Sequence, residues 1–415
     1  MIHPKRHRSD CYLWFSTLIS LIVLLLLLTI LAACNNELAL RPVEEQTLPM
    51  SQATIAPFTE TLPHLLGVIQ MPPKHGLTRQ GLIHPNGYAY ILNYSGSIIV
   101  ADGPNLVDLM TWPEDMRGRL ADITINPSTG ESYVIGRRPD FLHTISGTGI
   151  VKSLPLDDEP QLLAYNPATG YTYIPYLPPP MRPKEIPWYS GIAVFNGTEL
   201  LADIPLNAIP HALTVNPIDG LIYVGHGVDK ETLNSLTVIS GTAILTSTSF
   251  ASTGGSGIEQ MIVNPHTGEM YLKQGINVIH RKNGSQISSI DIGGKGAHHI
   301  NSIAIDTRRN WIYATSWEEP TSQVLVLEED KVIASIPVGR DPRDVVVDET
   351  HDYVYVVNRL SGSMSIIRGT EVITTVGTEG WGPAHITLDE QRGYIYVSNS
   401  DSASVAVFGF DSPSQ

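Results

Sequence analysis

Cysteine is nearly absent: the 415 residues hold two, Cys11 and Cys34. Cys11 lies inside an apolar leader, so the exported part of the chain would keep one. That excludes a disulfide framework and a C-x-x-C-H haem site. Basic charge is short as well. The chain has 26 Lys and Arg against 41 Asp and Glu, a formal net charge of −15. Removing residues 1–33 takes away Lys5, Arg6, Arg8 and Asp10, which leaves 23 basic and 40 acidic residues and a net charge of −17. Such a surface repels phosphate backbones, so no nucleic-acid partner is expected, and docking on anionic lipid head groups is disfavoured. The nucleophile elbow G-x-S-x-G, the Walker loop and G-x-G-x-x-G after a strand are all missing. So are H-x-H, H-E-x-x-H and Asp-rich calcium loops. No metal and no cofactor are expected.

What is present begins with the leader. A basic stretch, MIHPKRHRSD, precedes a long apolar core and small residues, the layout of an export signal. Its end, Leu31-Ala32-Ala33-Cys34, resembles the bacterial lipobox. That resemblance implies cleavage before Cys34 and lipidation of its thiol. The rival reading is an uncleaved anchor, since the 22 residues 12–33 are enough to cross a bilayer. Both readings put the body outside the cytoplasm, in a bacterial cell envelope, with the membrane as a partner through the N-terminal lipid. Residues 35–62 lack periodicity and are rich in Pro, Thr and Glu, as befits a tether. The division expected is a signal peptide at 1–33, a lipidated Cys34 with a tether to 62, and one repeat domain over 63–411.

The body repeats. An apolar-alternating run, usually Asn or Asp, a short turn and an aromatic-rich strand return eight times. The copies align on tyrosines 90, 133, 173, 223, 271, 313, 355 and 396, spaced by 43, 40, 50, 48, 42, 42 and 41 residues. Each unit holds four strand-like runs rich in Val, Ile, Thr and Tyr. A period near 42 with this strand content predicts an all-β fold, a β-propeller of eight four-stranded blades. Seven is the alternative if one unit is irregular. The N-P-x-x-G turns fix φ with Pro, cap with Asn and supply positive φ with Gly, so they are architecture and not a site. The eighth unit lacks its fourth strand, and residues 65–71, LLGVIQM, match that missing pattern. The N-terminal strand is therefore expected to pair with the last blade and close the ring. A monomer is expected.

The units VNPIDGLIYVG, VDETHDYVYVVNRLSGSMSII and LDEQRGYIYVSNSDSASVAVF resemble the YVTN-type β-propeller repeat family over about residues 65–410. The last unit matches through Asp389, Tyr396-Val397, Asn399 and Ser404-Val405, whereas the seventh has Met364 at the final Val. The first three units depart most. The resemblance implies the fold. It leaves the function open, because one architecture hosts adhesins, scaffolds, sensors and enzymes.

Topology locates the candidate site. Links between blades and the loops joining second to third strands share one face, the top, and the innermost strand of each blade starts there. Counting back from each turn gives the channel mouth: Arg79, Ala121, Gln161, His211, Glu259, Asn301, Arg343 and Ala384. The next column is Gln80, Asp122, Leu162, Ala212, Gln260, Ser302, Asp344 and His385, and the third is apolar. A polar mouth over an apolar wall suits a small ligand, and a wet channel mouth is polar in any propeller. The loop 175–191 carries six prolines with Tyr176, Trp188 and Tyr189, a possible contact surface for a peptide or glycan or a tolerated insertion. The reading favoured is a binding or scaffold module for an envelope or extracellular partner, with a protein, peptide or glycan ligand on the top face. The alternative is an enzyme. Propellers resembling this one include a streptogramin-type lyase and metal-dependent lactonases, which would make His211, Glu259, Arg343 and His385 its acid/base and charge-stabilising groups.

Overall fold

The computed structural model describes residues 61–71, 78–93, 95–112, 119–177, 190–206, 208–227, 234–250, 257–290, 292, 299–318 and 321–410. The leader, Cys34, most of the tether, Trp188 and Tyr189 lie outside them, so the expectations placed there are not addressed by the fold.

Alternating Val, Ile and Tyr runs become short strands, and the turns between them force hairpins. The result is eight antiparallel sheets, seven of them four-stranded meanders in strict chain order or its closing variant. In the fourth blade the strands are Pro210–Val215, Ile222–His226, Asn234–Ser240 and Ala243–Phe250, paired in that order. This is an eight-bladed β-propeller, as the tyrosine spacing predicts.

The ring closes as expected. Strand His64–Gln70 pairs antiparallel with Ser404–Gly409, with Val68 opposite Ala406 and Ile69 opposite Val405. It takes the outermost place in the eighth blade.

The third blade is the irregular one. Its inner strand is split into Glu159–Pro160 and Ala164–Asn166, so its sheet counts five strands. The cause is local. Pro160 has no N–H to give, and the Arg137 guanidinium of the second blade captures the carbonyls of Pro160 (2.7 Å from Nε) and Gln161 (3.3 Å from Nη2). The blade boundaries survive the break, and the count of eight stands.

The turn residues behave as their chemistry requires. The side-chain oxygens of Asn126, Asn166, Asn216 and Asn264 accept the N–H two residues on, at 2.9–3.0 Å. Asn166 and Asn216 also donate from Nδ2 to the turn glycines Gly220 and Gly268 of the following blades, at 2.8 and 3.1 Å. The eight aligned tyrosines are all buried, none above 4 % exposed. Four of them latch neighbouring blades. Tyr90, Tyr173 and Tyr313 donate to the carbonyls of Gly147, Gly241 and Gly369, and Tyr396 accepts from the Gly103 amide, each at 2.9 Å.

Candidate functional site at the channel mouth

The inner strands enter the channel from the top, and their second column forms a belt between blades. Asp122 is its clearest member. Its Oδ1 accepts from its neighbour's amide, Ile123, and from the Gln80 amide of the first blade. Its Oδ2 accepts from the Leu163 amide of the third blade at 2.9 Å. Asp344 repeats the arrangement with Val345, Ile386 and the Ser302 hydroxyl. Gln260 clamps Ile303 with both ends of its amide, at 3.0 and 2.9 Å. These side chains replace solvent for backbone groups facing the channel, which explains why the column is polar. Leu162 and Ala212 interrupt the belt at the third and fourth blades.

Above the belt lies a cavity of ≈400 Å³, lined by Gln80, Asp122, Arg137, Gln161, His211 and His385 with Ala121, Leu162 and Pro210. Five blades contribute: the first four and the eighth. The sequence columns anticipated seven of these residues. Arg137 escaped them because it ends the second strand of its blade, and only innermost strands were counted. Its Nη2 holds Gln161 Oε1 at 2.7 Å, which fixes that amide at the mouth. Signals for it in the sequence were absent, since the bond depends on the break in the third blade.

His211 is exposed, and burial of the ring's surroundings lowers its pKa against an opposing pull from Glu259. Two loops crowd it into place. A Cβ on Gly227 would meet the His211 ring at 2.3 Å, and one on Gly257 would meet the Gly227 backbone at 2.3 Å. Glycine is required at both for this close approach. His385 lies 4.0 Å from Asp344.

The other expected mouth residues are not gathered there. Glu259 pairs with Lys273 Nζ at 2.6 Å, a lysine 5 % exposed. Asn301 donates to the Pro342 carbonyl at 2.8 Å. Arg343 Nε lies 2.9 Å from Asp341 Oδ1, an ion pair by distance without hydrogen-bond alignment. Arg79 stands in strand Thr78–Ile83, and its side chain is outside the described residues. Of the four residues proposed for catalysis, His211 and His385 reach the cavity while Glu259 and Arg343 are engaged elsewhere.

Tyr176 differs from its expected place on an overhanging loop. It belongs to strand Tyr171–Leu177, is 6 % exposed, and donates to Asp203 Oδ1 at 2.6 Å. Among the described residues, the aromatic that stands out is Trp381, 76 % exposed on the link into the eighth blade. Among the described residues, no three His, Cys, Asp or Glu side chains gather as a metal site would need.

No family model matches the chain, and no curated protein matches it. Solved structures do. A chain of "Kuenenia stuttgartiensis Hydrazine Synthase" aligns with a TM-score of 0.52 at 13 % identity, covering 83 % of this chain and 97 % of that one. The β-propeller domain of Myceliophteria thermophila Cps50 (Swd1) aligns with a TM-score of 0.52 at 8 % identity, covering 84 % and 99 %. At such identities the likeness is one of fold.

Proposed function

We propose that this propeller is a lipid-anchored, extracytoplasmic binding module, held in a bacterial cell envelope through Cys34 and taking its ligand at the channel mouth. The observation that carries the reading is the convergence of Gln80, Asp122, Arg137, Gln161, His211 and His385 from five blades on one cavity of ≈400 Å³. The lipobox-like end of the leader, the tether and the resemblance to YVTN-type repeats support the setting. Binding is favoured over catalysis because Glu259 and Arg343 are committed to Lys273 and Asp341. The remaining amides, guanidinium and imidazoles suit a ligand rich in hydrogen-bonding groups, such as part of a glycan or peptide.

The test is a thermal-shift screen of the full chain in nonionic detergent against sugars, short peptides and metabolites, followed by calorimetry on hits. Gln161→Ala and His385→Ala are each expected to weaken the hit by about tenfold, the loss of roughly one good polar contact. A ligand whose affinity ignores both substitutions rejects the mouth as its site, and turnover of a hit would establish an enzyme instead. For the anchor, Cys34→Ala is expected to abolish uptake of labelled palmitate. Continued labelling would remove the lipobox from the account.

A further inference from the structure

The outer strands of the first four blades begin alike. Each pairs with its neighbour through one β-bulge, and the bulged residues are Val107, Val151, Leu201 and Leu245. These four are 37–58 % exposed, and the Leu or Ile before each is 36–55 % exposed. The fifth blade has no such bulge and puts Ser288 at that position. In the sixth, Ile333 is bulged and exposed without an exposed partner before it. The exposed pairs thus form an arc over four consecutive blades. The arc lies at the end of the ring that holds the N-P-x-x-G turns, since Tyr90 and Tyr173 beside those turns reach Gly147 and Gly241 in the hairpins that open the outer strands. At that end the hairpins of these four blades contain Asp102, Glu131, Glu199 and Asp219 and no Lys or Arg. Across the ring the equivalent hairpins carry ion pairs, such as Arg308 with Asp352 at 2.7 Å and Arg392 with Asp389 at 2.6 Å.

Hydrocarbon on an open sheet edge is unfavourable in water, and edges are ordinarily blunted with charge. A bulge takes the apolar residue out of the ladder, so a strand added by a second copy would lose register there. Four edges spread round a rim make no groove for a peptide. A fluid apolar phase needs neither register nor groove. The chain also enters at this end. His64, opposite Gly409, opens the outer strand of the eighth blade, and a Cβ on Gly67 would meet Pro104 of the first blade's hairpin at 3.0 Å. Residues 35–60 alone separate Cys34 from Thr61. Fully extended they reach ~90 Å, so an anchored thiol keeps this end close to its membrane. A contact made from such a tether is intramolecular and needs little affinity of its own. We infer that the arc on the first four blades rests on the lipid bilayer that holds the anchor, with its apolar pairs in the interface and the channel mouth turned away. The inference rests on the anchored reading of Cys34 and adds to it the docking surface and the orientation of the ring.

The test uses the full chain reconstituted with vesicles of phosphatidylcholine radiolabelled in its acyl chains, a neutral lipid suited to a net charge of −15. Benzoylphenylalanine, which couples to nearby hydrocarbon on irradiation, replaces Val151, Leu245, Ile333 or Trp381, one at a time. Flotation of the vesicles reads the anchor, and label on the protein reads the dock. The positions of Val151 and Leu245 are expected to take up about tenfold more lipid than that of Ile333, in the charged half, or that of Trp381, on a link at the opposite end. The double substitution Val151→Asp with Leu245→Asp is expected to cut labelling from the position of Leu201 about tenfold while flotation is unchanged. Should that variant fail to fold, the comparison of positions decides. A chain that floats but labels equally from Val151, Leu245 and either control position, or a folded double variant that labels like its parent, overturns the dock and leaves the anchor standing. A chain that does not float refutes the anchored reading and the dock with it.

Discussion

Three buried histidines show how one residue type takes opposite roles in this ring. His226 and His280 sit in ladders that cross their blades. His226 Nε2 lies 2.8 Å from the Thr237 hydroxyl, which lies 2.9 Å from that of Ser247, and Nδ1 lies 3.3 Å from the Ala208 carbonyl. A carbonyl only accepts, so Nδ1 donates; burial keeps the ring neutral near pH 7, so Nε2 accepts from the Thr237 hydroxyl. His280 is held as the opposite tautomer, Nε2 donating to Gln274 Oε1 at 2.7 Å and Nδ1 accepting from the Ser289 hydroxyl at 3.0 Å. His143 has no such ladder. It is fully buried, its ring tilted on Phe141 at 3.9 Å and stacked with Trp112 at 5.5 Å, and both nitrogens lack partners. Burial lowers all three pKa values from 6.5 to about 4. The sign follows. Between pH 6.5 and about 4 the unfolded chain binds protons that the folded chain refuses. Stability is therefore full above that window and falls as pH drops through it, by up to ~1.4 kcal/mol per histidine for each pH unit. His143→Leu is expected to flatten this acid limb and to stabilise the protein by about 1 kcal/mol, because two unpaired polar atoms leave the core. His226→Leu is expected to destabilise by a similar ~1–3 kcal/mol, because Thr237 and the Ala208 carbonyl lose their partner. Denaturant unfolding between pH 4 and 8 compares them. Shifts of the same sign in both variants would contradict the assignment of one orphan and one laddered ring.

Strands and turns were the most readable elements, and the reason is repetition. Tyr223 and Asn216 are each one member of a column, so a single reading is checked eight times along the chain. The aligned tyrosine is kept for its hydroxyl as well as its ring, since Phe would lose the latch from Tyr173 to Gly241. The inner-strand columns placed Gln80, Asp122, Gln161, His211 and His385 at the mouth for the same reason. Where repetition stops, so does legibility. The break at Pro160 follows from Arg137, whose partners are carbonyls of another blade, and neither spacing nor composition encodes that pairing. Glu259 and Arg343 share the mouth column with His211, yet Lys273 and Asp341 draw them away. A column gives the direction in which a residue faces but not the neighbour it prefers. The half-burial of Leu154 and Leu156 is invisible to the pattern for the same reason, because their sequence, SLPL, reads like the ADIPL of the next blade, whose Ile204 and Leu206 are buried.

For the whole ring, closure decides whether eight marginal sheets act as one body. A blade alone is a small sheet with two exposed edges, and the inner packing lies between blades and not within them. Strand Ser404–Gly409 is buried along its full length, and it is buried because His64–Gln70 covers its outer edge. The covering strand also places Ile69 and Met71, 4 and 8 % exposed, against Ala89, Ile91 and Val405, so it ties the eighth blade to the first. Deleting residues 61–70 removes this latch. The cost is at least ~3 kcal/mol from apolar burial at Ile69 and its neighbours, and an unpaired hydrophobic strand edge is left over Val405 and Val407. Such an edge recruits a strand from another copy. The deletion variant is expected to melt at lower temperature and to sediment as larger species than the intact chain. A synthetic peptide spanning 61–71, added in excess, is expected to reverse both effects, since it supplies the missing strand in register with Ser404–Gly409. A variant that keeps the size and melting midpoint of the intact protein would mean that the seam between the last blade and the first is held by the inner strands instead, and that the N-terminal strand decorates a ring already closed.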